Sequence, residues 1–374
     1  GGRRCGLAIF IFQQEAGIEI PPRSVGPEVG NRDRLIEERL NMKAAQITKH
    51  SKSINLIINN VEMPVINEYE VLIKVKAAGV NPVDILIAYG SIRMIQNYKF
   101  PLTLGNELSG VIEKVGSKVR EYKIGDNVMT RMPINKIGAF AEYVAVNSNA
   151  IAIMPKNMSY VEAAAVPLTG LTAYQVLNDV LKDKSHESIF LPGGTGGLGG
   201  ILIPIAKKME LKVITNGSEN GYDRLLKMGV DKYINYKEEN YEDILSNIDY
   251  VIDTLGPNDI DKELKILKPH GKIVSLKGIP NYKFALENRY PLWKRLLFKL
   301  VGNKYDRMAS KQDKEYYFFF VKENGEQLAK VSNILESHNI KPAIDSVYDF
   351  TKINEALEKV SQGHAQGKIV ITFK

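Results

Sequence analysis

The chain has 374 residues, of which 44% are hydrophobic and 25% are charged, a length that predicts two or three domains and a composition that excludes disordered, collagen-like and coiled-coil proteins. It contains no apolar run near the roughly 18 residues of a membrane-spanning helix, and its single cysteine, Cys5, excludes a disulfide framework and a cysteine-rich zinc site. Because 43 acidic residues are interspersed among 50 basic ones, the net charge of +7 favours solubility over a nucleic-acid partner. A single cysteine constrains the redox compartment only weakly, and the cytoplasm is the expected compartment.

The first 41 residues differ from the rest of the chain in their basic residues. Before Met42 there are six arginines and no lysine, whereas from Met42 onward there are seven arginines and 37 lysines. A single domain does not change its usage so abruptly. We therefore interpret residues 1–41 as a non-native or upstream extension, with Met42 as the natural start.

Residues 42–166 predict an irregular, mostly β domain. The run 70–80 is rich in apolar and β-branched residues, and shorter runs punctuated by glycine follow at 110–115, 126–129 and 141–146. The pattern changes at Ser159, which forms a capping box with Glu162: each side chain would satisfy an exposed N–H group of the other residue at a helix start. Helices are expected from that point onward.

Strands and helices are predicted to alternate over the following segment. Short β runs at 188–191, 212–215, 233–235, 250–253 and 272–275 are separated by stretches of helix length. This alternation is typical of βαβ units and of a parallel sheet. A final amphipathic helix and a strand over 368–373 close the chain.

The loop between the first two of these strands fits the pattern GxGxxG. Gly194 would make the tight turn, Gly196 would let the backbone approach a diphosphate, and Gly199 would let the following helix pack closely on the strand. A diphosphate would then lie at the positive end of that helix. The predicted cofactor loop also includes Thr195, Gly197 and Leu198.

The end of the second strand indicates which dinucleotide binds. An acidic residue there selects NAD, whereas a basic or hydroxyl environment selects NADP, with its 2′-phosphate. Gly217 and Ser218 occupy this position, and Glu219 lies one step beyond it. The sequence therefore predicts NADPH as the cofactor, with Ser218 near the adenosine ribose.

Residues 291–311 form a basic amphipathic stretch. Its apolar residues are predicted to share one helical face, with Phe298 off that face. Such a helix packs on its own protein or lies on a membrane surface, and the sequence leaves both interpretations open. In either case we expect the apolar face to be buried. The face comprises Leu292, Trp293, Leu296, Leu297, Leu300 and Val301, with Lys294, Arg295 and Lys299 largely opposite.

Several further motifs occur in a fixed order along residues 42–374. They are AGVNPVD at 78–84, LGNELSG at 104–110, GAFAEY at 138–143, PLTGLTAY at 167–174 and GHAQGK at 363–368. With the glycine loop, they resemble the zinc-free quinone oxidoreductase branch of the medium-chain dehydrogenase/reductases. The resemblance implies an α/β fold: a GroES-like β-rich catalytic domain plus a Rossmann doubly wound parallel-sheet nucleotide-binding domain. It implies boundaries at 42–166 for the catalytic domain, completed by 312–374, and at 167–311 for the NADP-binding domain.

The resemblance also predicts that no metal takes part. Zinc-dependent members of this superfamily have a cysteine and a histidine where this chain has Asn81 and Asn106. Neutral carboxamides bind zinc poorly, and the five histidines are scattered along the chain. Oxidation of an alcohol through a zinc alkoxide is therefore excluded.

Two candidate catalytic residues follow from the same resemblance. Asn81 is expected to hydrogen-bond the nicotinamide ribose or the substrate, and Tyr89 is a candidate donor to the oxygen of the acceptor. Asp84 lies in the same motif, and an Asx turn or a structural ion pair explains it equally well.

Other residues are expected at the cofactor. The resemblance places Thr172 beside the nicotinamide and Tyr236 near the adenosine phosphate. Ser275 follows a strand at its carboxyl end, the edge where open α/β sheets bind ligands. Lys368 either reaches the cofactor or is a surface charge.

A reaction without a Lewis acid needs an acceptor that is already activated, such as a quinone or an α,β-unsaturated carbonyl. We therefore expect NADPH-dependent hydride transfer to a small hydrophobic quinone or enone. An enoyl-thioester reductase and a non-catalytic NADP(H)-binding sensor remain as alternatives. A homodimer and a peripheral membrane contact through 291–311 are both left open.

Overall fold

The computed structural model describes residues 41–182, 186–363 and 365–374. The predicted extension lies outside this part of the chain, apart from Asn41, which begins the first strand. Among the described residues, no helix is both long enough and apolar enough to cross a membrane.

The β-rich region contains two sheets. A three-stranded sheet has the order β2–β1–β4, with β1 (Asn41–Ile47), β2 (Ile57–Glu62) and β4 (Leu102–Thr103). The larger sheet comprises β3 (Glu70–Val80), β5 (Glu107–Val115), β6 (Asn127–Arg131), β7 (Tyr143–Asn147), β8 (Ile151–Ile153), β15 (Ile344–Asp349) and β16 (Lys368–Thr372). It has the order β15–β16–β3–β5–β6–β8, and β7 also pairs with β3. This pairing joins β3 to the much later β16, so two distant parts of the chain build one domain.

A parallel sheet forms the second domain. Its strands are β9 (Ser188–Leu191), β10 (Lys212–Gly217), β11 (Lys232–Asn235), β12 (Ile248–Asp253), β13 (Leu267–Ser275) and β14 (Glu315–Phe318). They have the order β11–β10–β9–β12–β13–β14, which is the strand order of a Rossmann sheet. All five predicted β runs lie within these strands. The predicted fold class is thus confirmed.

The described residues include eleven α-helices. They are α1 (Pro82–Tyr89), α2 (Tyr160–Ala164), α3 (Pro167–Tyr174), α4 (Gly199–Lys208), α5 (Tyr222–Lys227), α6 (Tyr241–Ile244), α7 (Ile260–Ile266), α8 (Tyr282–Glu287), α9 (Leu292–Ser310), α10 (Gly325–Ser337) and α11 (Ile353–Ser361). A π-helical segment, Gln175–Leu181, continues α3. The capping box of Ser159 and Glu162 starts α2 as predicted.

The parallel sheet is buried on both faces, because successive residues of its strands enter different apolar cores. In β9, Ile189 and Leu191 pack in one core and Phe190 packs in the other. This arrangement explains why the strand has a continuous apolar sequence rather than an alternating one. The first core also receives α10, through Leu328.

The predicted domain boundary at 311/312 is wrong in the structure. Strand β14 follows that boundary, yet Lys272 of β13 pairs with Glu315 in parallel register, and Tyr316 and Phe318 enter a core of the nucleotide-binding domain. The sixth strand is required to cover β13, which would otherwise be an exposed sheet edge. The segment that completes the catalytic domain therefore begins beyond β14.

Of the two interpretations of 291–311, packing of the predicted apolar face on the protein itself is wrong, because α9 buries a different face. Phe298, which was expected off the apolar face, is buried against the rings of Phe284 and Tyr290, at centroid distances of 5.9 and 5.6 Å. Leu292 and Leu300 are instead 67% and 76% exposed. Aromatic packing fixes the rotation of this helix, and the run of leucines faces outward.

Candidate active site

The glycine loop that follows β9 is held by the end of β10. The N–H group of Gly193 donates to Asn216 Oδ1 at 2.8 Å, and that of Gly194 donates to Thr215 Oγ1 at 3.1 Å. A Cβ atom on Gly194 would lie 2.1 Å from Thr215 Oγ1, and one on Gly199 would lie 2.1 Å from the Gly194 carbonyl oxygen. Both positions therefore require glycine. The left-handed turn itself is made by Gly193, whose φ is +70°.

The loop leaves N–H groups available where α4 begins. None of the hydrogen bonds described for the chain uses the N–H groups of Thr195, Gly197 or Leu198. A Cβ atom on Gly196 would meet only the Gly193 carbonyl oxygen, at 3.4 Å. Unpaired donors at a helix N-terminus with open space beside them suit a diphosphate, so this loop fits a dinucleotide.

A cleft of about 820 Å³ extends from this loop along the carboxyl ends of β10 and β11. Four of the predicted cofactor residues line it: Thr195, Gly196, Ser218 and Tyr236. Its size falls within the range of small-molecule and cofactor sites. Carboxylates outnumber cations on the wall of the cleft. The cations are Lys237 and Lys262, and the carboxylates are Glu219, Glu238, Glu239, Glu242 and Asp259.

Arg224 has a role here that the sequence did not reveal. Its guanidinium donates to the carbonyl oxygen of Gln366 at 2.7 Å and to that of Thr195. It therefore ties the cofactor loop to the segment that leads into β16. No local sequence pattern predicts contact with two backbone carbonyls that are distant in sequence.

A buried polar cluster lies where β3, β5 and β16 meet. Asn81 Nδ2 donates to Glu107 Oε1 at 2.8 Å and to the Gly79 carbonyl oxygen at 3.2 Å. The ammonium of Lys368 donates to both Asn81 Oδ1 and Glu107 Oε1. The N–H group of Leu168, at the start of α3, donates to Glu107 Oε2 at 2.7 Å. Glu107 thus has one cation and two neutral donors.

Two residues extend the cluster. Asn106 Nδ2 donates to Asp84 Oδ1 at 2.7 Å, and the N–H group of Asn81 donates to Asp84 Oδ2 at 2.8 Å. Burial raises the pKa of Asp84 to about 7, although these hydrogen bonds act in the opposite direction and lower it. Asp84 is therefore a structural carboxyl that titrates near neutral pH.

Lys368 connects this cluster to the cofactor loop. The residue is buried, and a Cβ atom on Gly197 would lie 2.7 Å from Lys368 Cδ. The aliphatic part of the lysine therefore passes directly against the loop, while its ammonium reaches Glu107. Of the two interpretations that the sequence left open, a surface charge is wrong.

Arg131 is a second buried cation that sequence reasoning missed. It ends β6 opposite Glu107 in β5, and Nη1 donates to the Met132 carbonyl oxygen. Its guanidinium lies 3.6 Å from Glu323, and burial lowers its pKa. Nε has no partner among the described residues. An arginine at the end of a short β run was the signal in the sequence.

Three predicted site residues lie apart from the buried cluster. Tyr89, at the end of α1, is partly exposed, and none of the described hydrogen bonds uses its hydroxyl. The hydroxyl of Thr172 donates to the Leu168 carbonyl oxygen at 2.7 Å, within its own helix. Ser275 donates to the carboxylate of Asp253. The structure thus uses two of these hydroxyls internally.

Asn81 and Asn106 stand where the resemblance places the metal ligands of zinc-dependent members, and both belong to the buried cluster. Asn81 bonds Lys368 and Glu107, and Asn106 donates to Asp84. Within the described ranges, no three histidine, cysteine or acidic side chains converge as metal ligands would. The ammonium group of Lys368 lies in this cluster.

Comparison with known proteins identifies both domains. Residues 67–156 match the alcohol dehydrogenase GroES-like domain family, and residues 228–371 match the family described as zinc-binding dehydrogenase. The chain is 33% identical over 344 residues to a 2-methylene-furan-3-one reductase of Solanum lycopersicum. This match covers 88% of this chain and 79% of the relative. It is 30% identical over 326 residues to a chloroplastic NADPH-dependent alkenal/one oxidoreductase of Arabidopsis thaliana. This match covers 84% of this chain and 74% of the relative.

A solved structure agrees with these matches. The quinone oxidoreductase from Coxiella burnetii superposes with a TM-score of 0.76 at 26% identity, over 89% of this chain and all of that one. The likeness extends over both domains, including the parallel sheet and the mixed sheet that β16 completes. The chain therefore belongs to the medium-chain dehydrogenase/reductase superfamily, in its quinone oxidoreductase branch.

Proposed function

We propose that this protein transfers a hydride from NADPH to a small quinone or α,β-unsaturated carbonyl without a metal ion. The observation that carries the proposal is the buried ammonium of Lys368, which bonds Asn81 and Glu107 and packs against the cofactor loop. The names of the tomato and Arabidopsis relatives support an enone or alkenal as the acceptor. A cytoplasmic location remains part of the proposal.

Different residues at the loop would bind the diphosphate and the adenosine of the cofactor. The free N–H groups of Thr195, Gly197 and Leu198 would hold the diphosphate, and Ser218 and Tyr236 line the part of the cleft suited to the adenosine. Bound NADPH would supply the hydride. These contacts would fix the position of the cofactor, which is the main requirement of a hydride transfer.

The buried cluster would fix the cofactor loop relative to the catalytic sheet. Lys368 bonds Glu107 and packs against the loop, so its charge is balanced within the cluster, and the guanidinium of Arg131 lies 3.6 Å from Glu323. Asn81 uses its amide hydrogens and its oxygen within the cluster, so we now assign it a positioning role. Tyr89 remains the candidate donor to the acceptor oxygen, because its hydroxyl is not otherwise engaged.

Steady-state rates test the proposal. Purified protein is assayed with NADPH and with NADH against 9,10-phenanthrenequinone, 2-alkenals and enoyl thioesters, and its zinc content is measured. We expect turnover of quinones or alkenals, no stoichiometric zinc, and no loss of rate with a chelator. Turnover of enoyl thioesters alone would replace the proposed acceptor class, and cofactor binding without turnover would indicate a sensor. One tightly held zinc ion per chain would contradict the metal-free mechanism.

The preference for NADPH has its own test. Gly217→Asp is unsuitable, because a Cβ atom there would lie 2.6 Å from Thr195 Cγ2 and disturb the loop. Ser218→Asp should instead repel a 2′-phosphate and accept the ribose hydroxyl, shifting the ratio of kcat/KM values toward NADH by about tenfold. Ser53→Asp, exposed on the catalytic domain, is the matched control. A wild-type preference for NADH would show that Glu219 binds the ribose.

A further inference from the structure

The outward side of α9 carries one continuous row of residues. Leu292, Leu296, Leu300, Lys304 and Arg307 follow one another at intervals of three or four residues, which places them in line along the helix. All five are exposed, and Lys311 continues the row just beyond the helix. This row, which we call the α9 outer row, is apolar in its first half and basic in its second.

The orientation of the row is fixed by the opposite side of the helix. Phe298, Gly302, Tyr305 and Ala309 are buried at intervals of three or four residues. A Cβ atom on Gly302 would lie 2.6 Å from Asn281 Cα, so the helix and its neighbour are in close contact at that point. Rotating α9 to bury its leucines would break this packing, and the exposure of the row is therefore a stable property of the fold.

The apolar half of the row exposes several large hydrophobic side chains that lie next to one another. Trp293 and Leu296 are 60% and 52% exposed, and Val301 flanks them. Singly scattered apolar residues on a surface need no explanation, but a contiguous apolar group indicates an interaction site. A tryptophan beside leucines suits the boundary between headgroups and acyl chains.

The charge of the helix points to the chemistry of its partner. Helix α9 contains five basic residues and one acidic residue, Asp306, which accepts a hydrogen bond from Asn281 at 2.8 Å. A pocket of about 430 Å³ adjoins the apolar half, and no carboxylate lines it. No ion pair of the described residues involves Lys304, Arg307 or Lys311, three of the residues that line the pocket. The basic half is thus free to bind anionic groups.

We propose that α9 docks this protein on a membrane surface that contains anionic lipids. The leucines and Trp293 would enter the boundary of the acyl chains, and the basic half of the row would contact headgroup phosphates. The helix would lie flat on the surface without crossing it. This inference concerns a different surface from the cofactor cleft, so it stands or fails independently of the proposed function.

A second copy of the chain suits this surface less well. In a two-fold contact the same face is used by both copies. Lys304 and Arg307 would then face either the same cations or the leucines of the other copy, and both arrangements leave charges buried without partners. An anionic bilayer satisfies the apolar half and the basic half at the same time.

Vesicle co-sedimentation of the full chain tests the proposal. We compare vesicles of phosphatidylcholine mixed with phosphatidylserine against vesicles of phosphatidylcholine alone. Leu296→Ser/Leu300→Ser removes the apolar half, and Lys304→Glu/Arg307→Glu reverses the basic half. Both pairs are exposed, so the fold should persist, which circular dichroism checks. The matched controls are Ile124→Ser for exposed apolar area and Lys208→Glu/Lys227→Glu for charge, all at exposed positions elsewhere.

We expect the wild type and the controls to bind only the phosphatidylserine vesicles, and each α9 variant to bind at least about tenfold more weakly. Binding should also weaken as salt shortens the screening length from about 10 Å at 0.1 M to about 3 Å at 1 M. No binding by the wild type, equal binding to both vesicle types, or unchanged binding by the variants would overturn the proposal. So would a dimer in sedimentation velocity that the leucine variant abolishes. Rates with water-soluble quinones should be unchanged in both α9 variants.

Discussion

Two fully buried glutamates lie in different domains and have opposite surroundings. Glu107, in the catalytic domain, accepts hydrogen bonds from Asn81, Lys368 and the N–H group of Leu168. Glu263, in α7 of the nucleotide-binding domain, has no partner for either oxygen among the described residues. Burial, with Asp253 and Asp259 nearby, raises the pKa of Glu263 to about 9.

The two glutamates differ in whether their buried carboxyl group has partners. A buried carboxyl that serves a site needs a cation and donors, because an unpaired buried charge is too costly. Glu107 meets this requirement with residues from three distant segments. Glu263 avoids the cost by holding a proton. The two glutamates should therefore respond in opposite ways when their charge is changed.

Removing the cation of the first glutamate should have the largest effect. Lys368→Met would leave Glu107 without a countercharge and lower the free energy of unfolding by about 3–5 kcal/mol. Urea denaturation measures this change, and the reductase rate should fall with it. Adding Glu107→Gln to Lys368→Met should recover much of the stability, since the orphaned charge is then gone. A double variant no more stable than Lys368→Met would show that the pair is not coupled.

Neutralising the second glutamate should stabilise the protein. Glu263→Gln removes a group that the unfolded chain ionises but the folded chain does not, and we expect a gain of about 1–3 kcal/mol at pH 8. Thermal unfolding of the two proteins at pH 8 provides the measurement. At pH 4, where both states hold the proton, the gain should vanish. A loss of stability at pH 8 would mean that Glu263 is ionised and bound by an unseen partner.

Asp84 is an intermediate case, since it has hydrogen-bond donors and a pKa raised to about 7. The folded chain then binds a proton that the unfolded chain has released above about pH 4, so stability falls as pH rises toward 7, by at most about 1.4 kcal/mol per pH unit. We expect stability to fall with pH in this way in the Glu263→Gln variant. The fall should be absent from the double variant that also carries Asp84→Asn. A slope equal in both variants would assign the titration to another group.

The smallest effect should come from an exposed ion pair. Lys118 lies 2.7 Å from Glu68, and both side chains are about half exposed. Lys118→Met should leave the urea midpoint almost unchanged, because solvent screens the pair. The same urea titration used for Lys368→Met applies. If Lys118→Met destabilised the protein as much as Lys368→Met does, burial would not explain why the two ion pairs differ in strength.

Sequence predicted the features that depend on neighbouring residues. The strands of the parallel sheet, the capping box at Ser159 and the glycine loop each have a local pattern, and the structure contains all of them. The requirement for glycine at 194 and 199 follows from contacts within about twenty residues. Local periodicity and turn chemistry were sufficient for these elements.

Features that depend on distant residues could not be predicted. Lys368 and Glu107 are separated by 261 positions, and nothing near either residue indicates the other. The arrangement of Arg131 opposite Glu107 likewise depends on strand register. Helix α9 shows a different limit, because its apolar pattern identified a helix face correctly but not whether that face is buried. Contacts of Phe298 and Gly302 with other elements decided its rotation.

The position of β16 has a consequence for how the protein is made. Ile369 to Thr372 of this strand pair with β3, and Lys368 begins it. A ribosome releases β3 long before β16, and the whole parallel sheet emerges between them. The nucleotide-binding domain can therefore fold during synthesis, whereas β3 must wait beside an open edge for its partner. Nascent chains that stall after β14 should hold all six strands of the parallel sheet and an unfinished catalytic sheet.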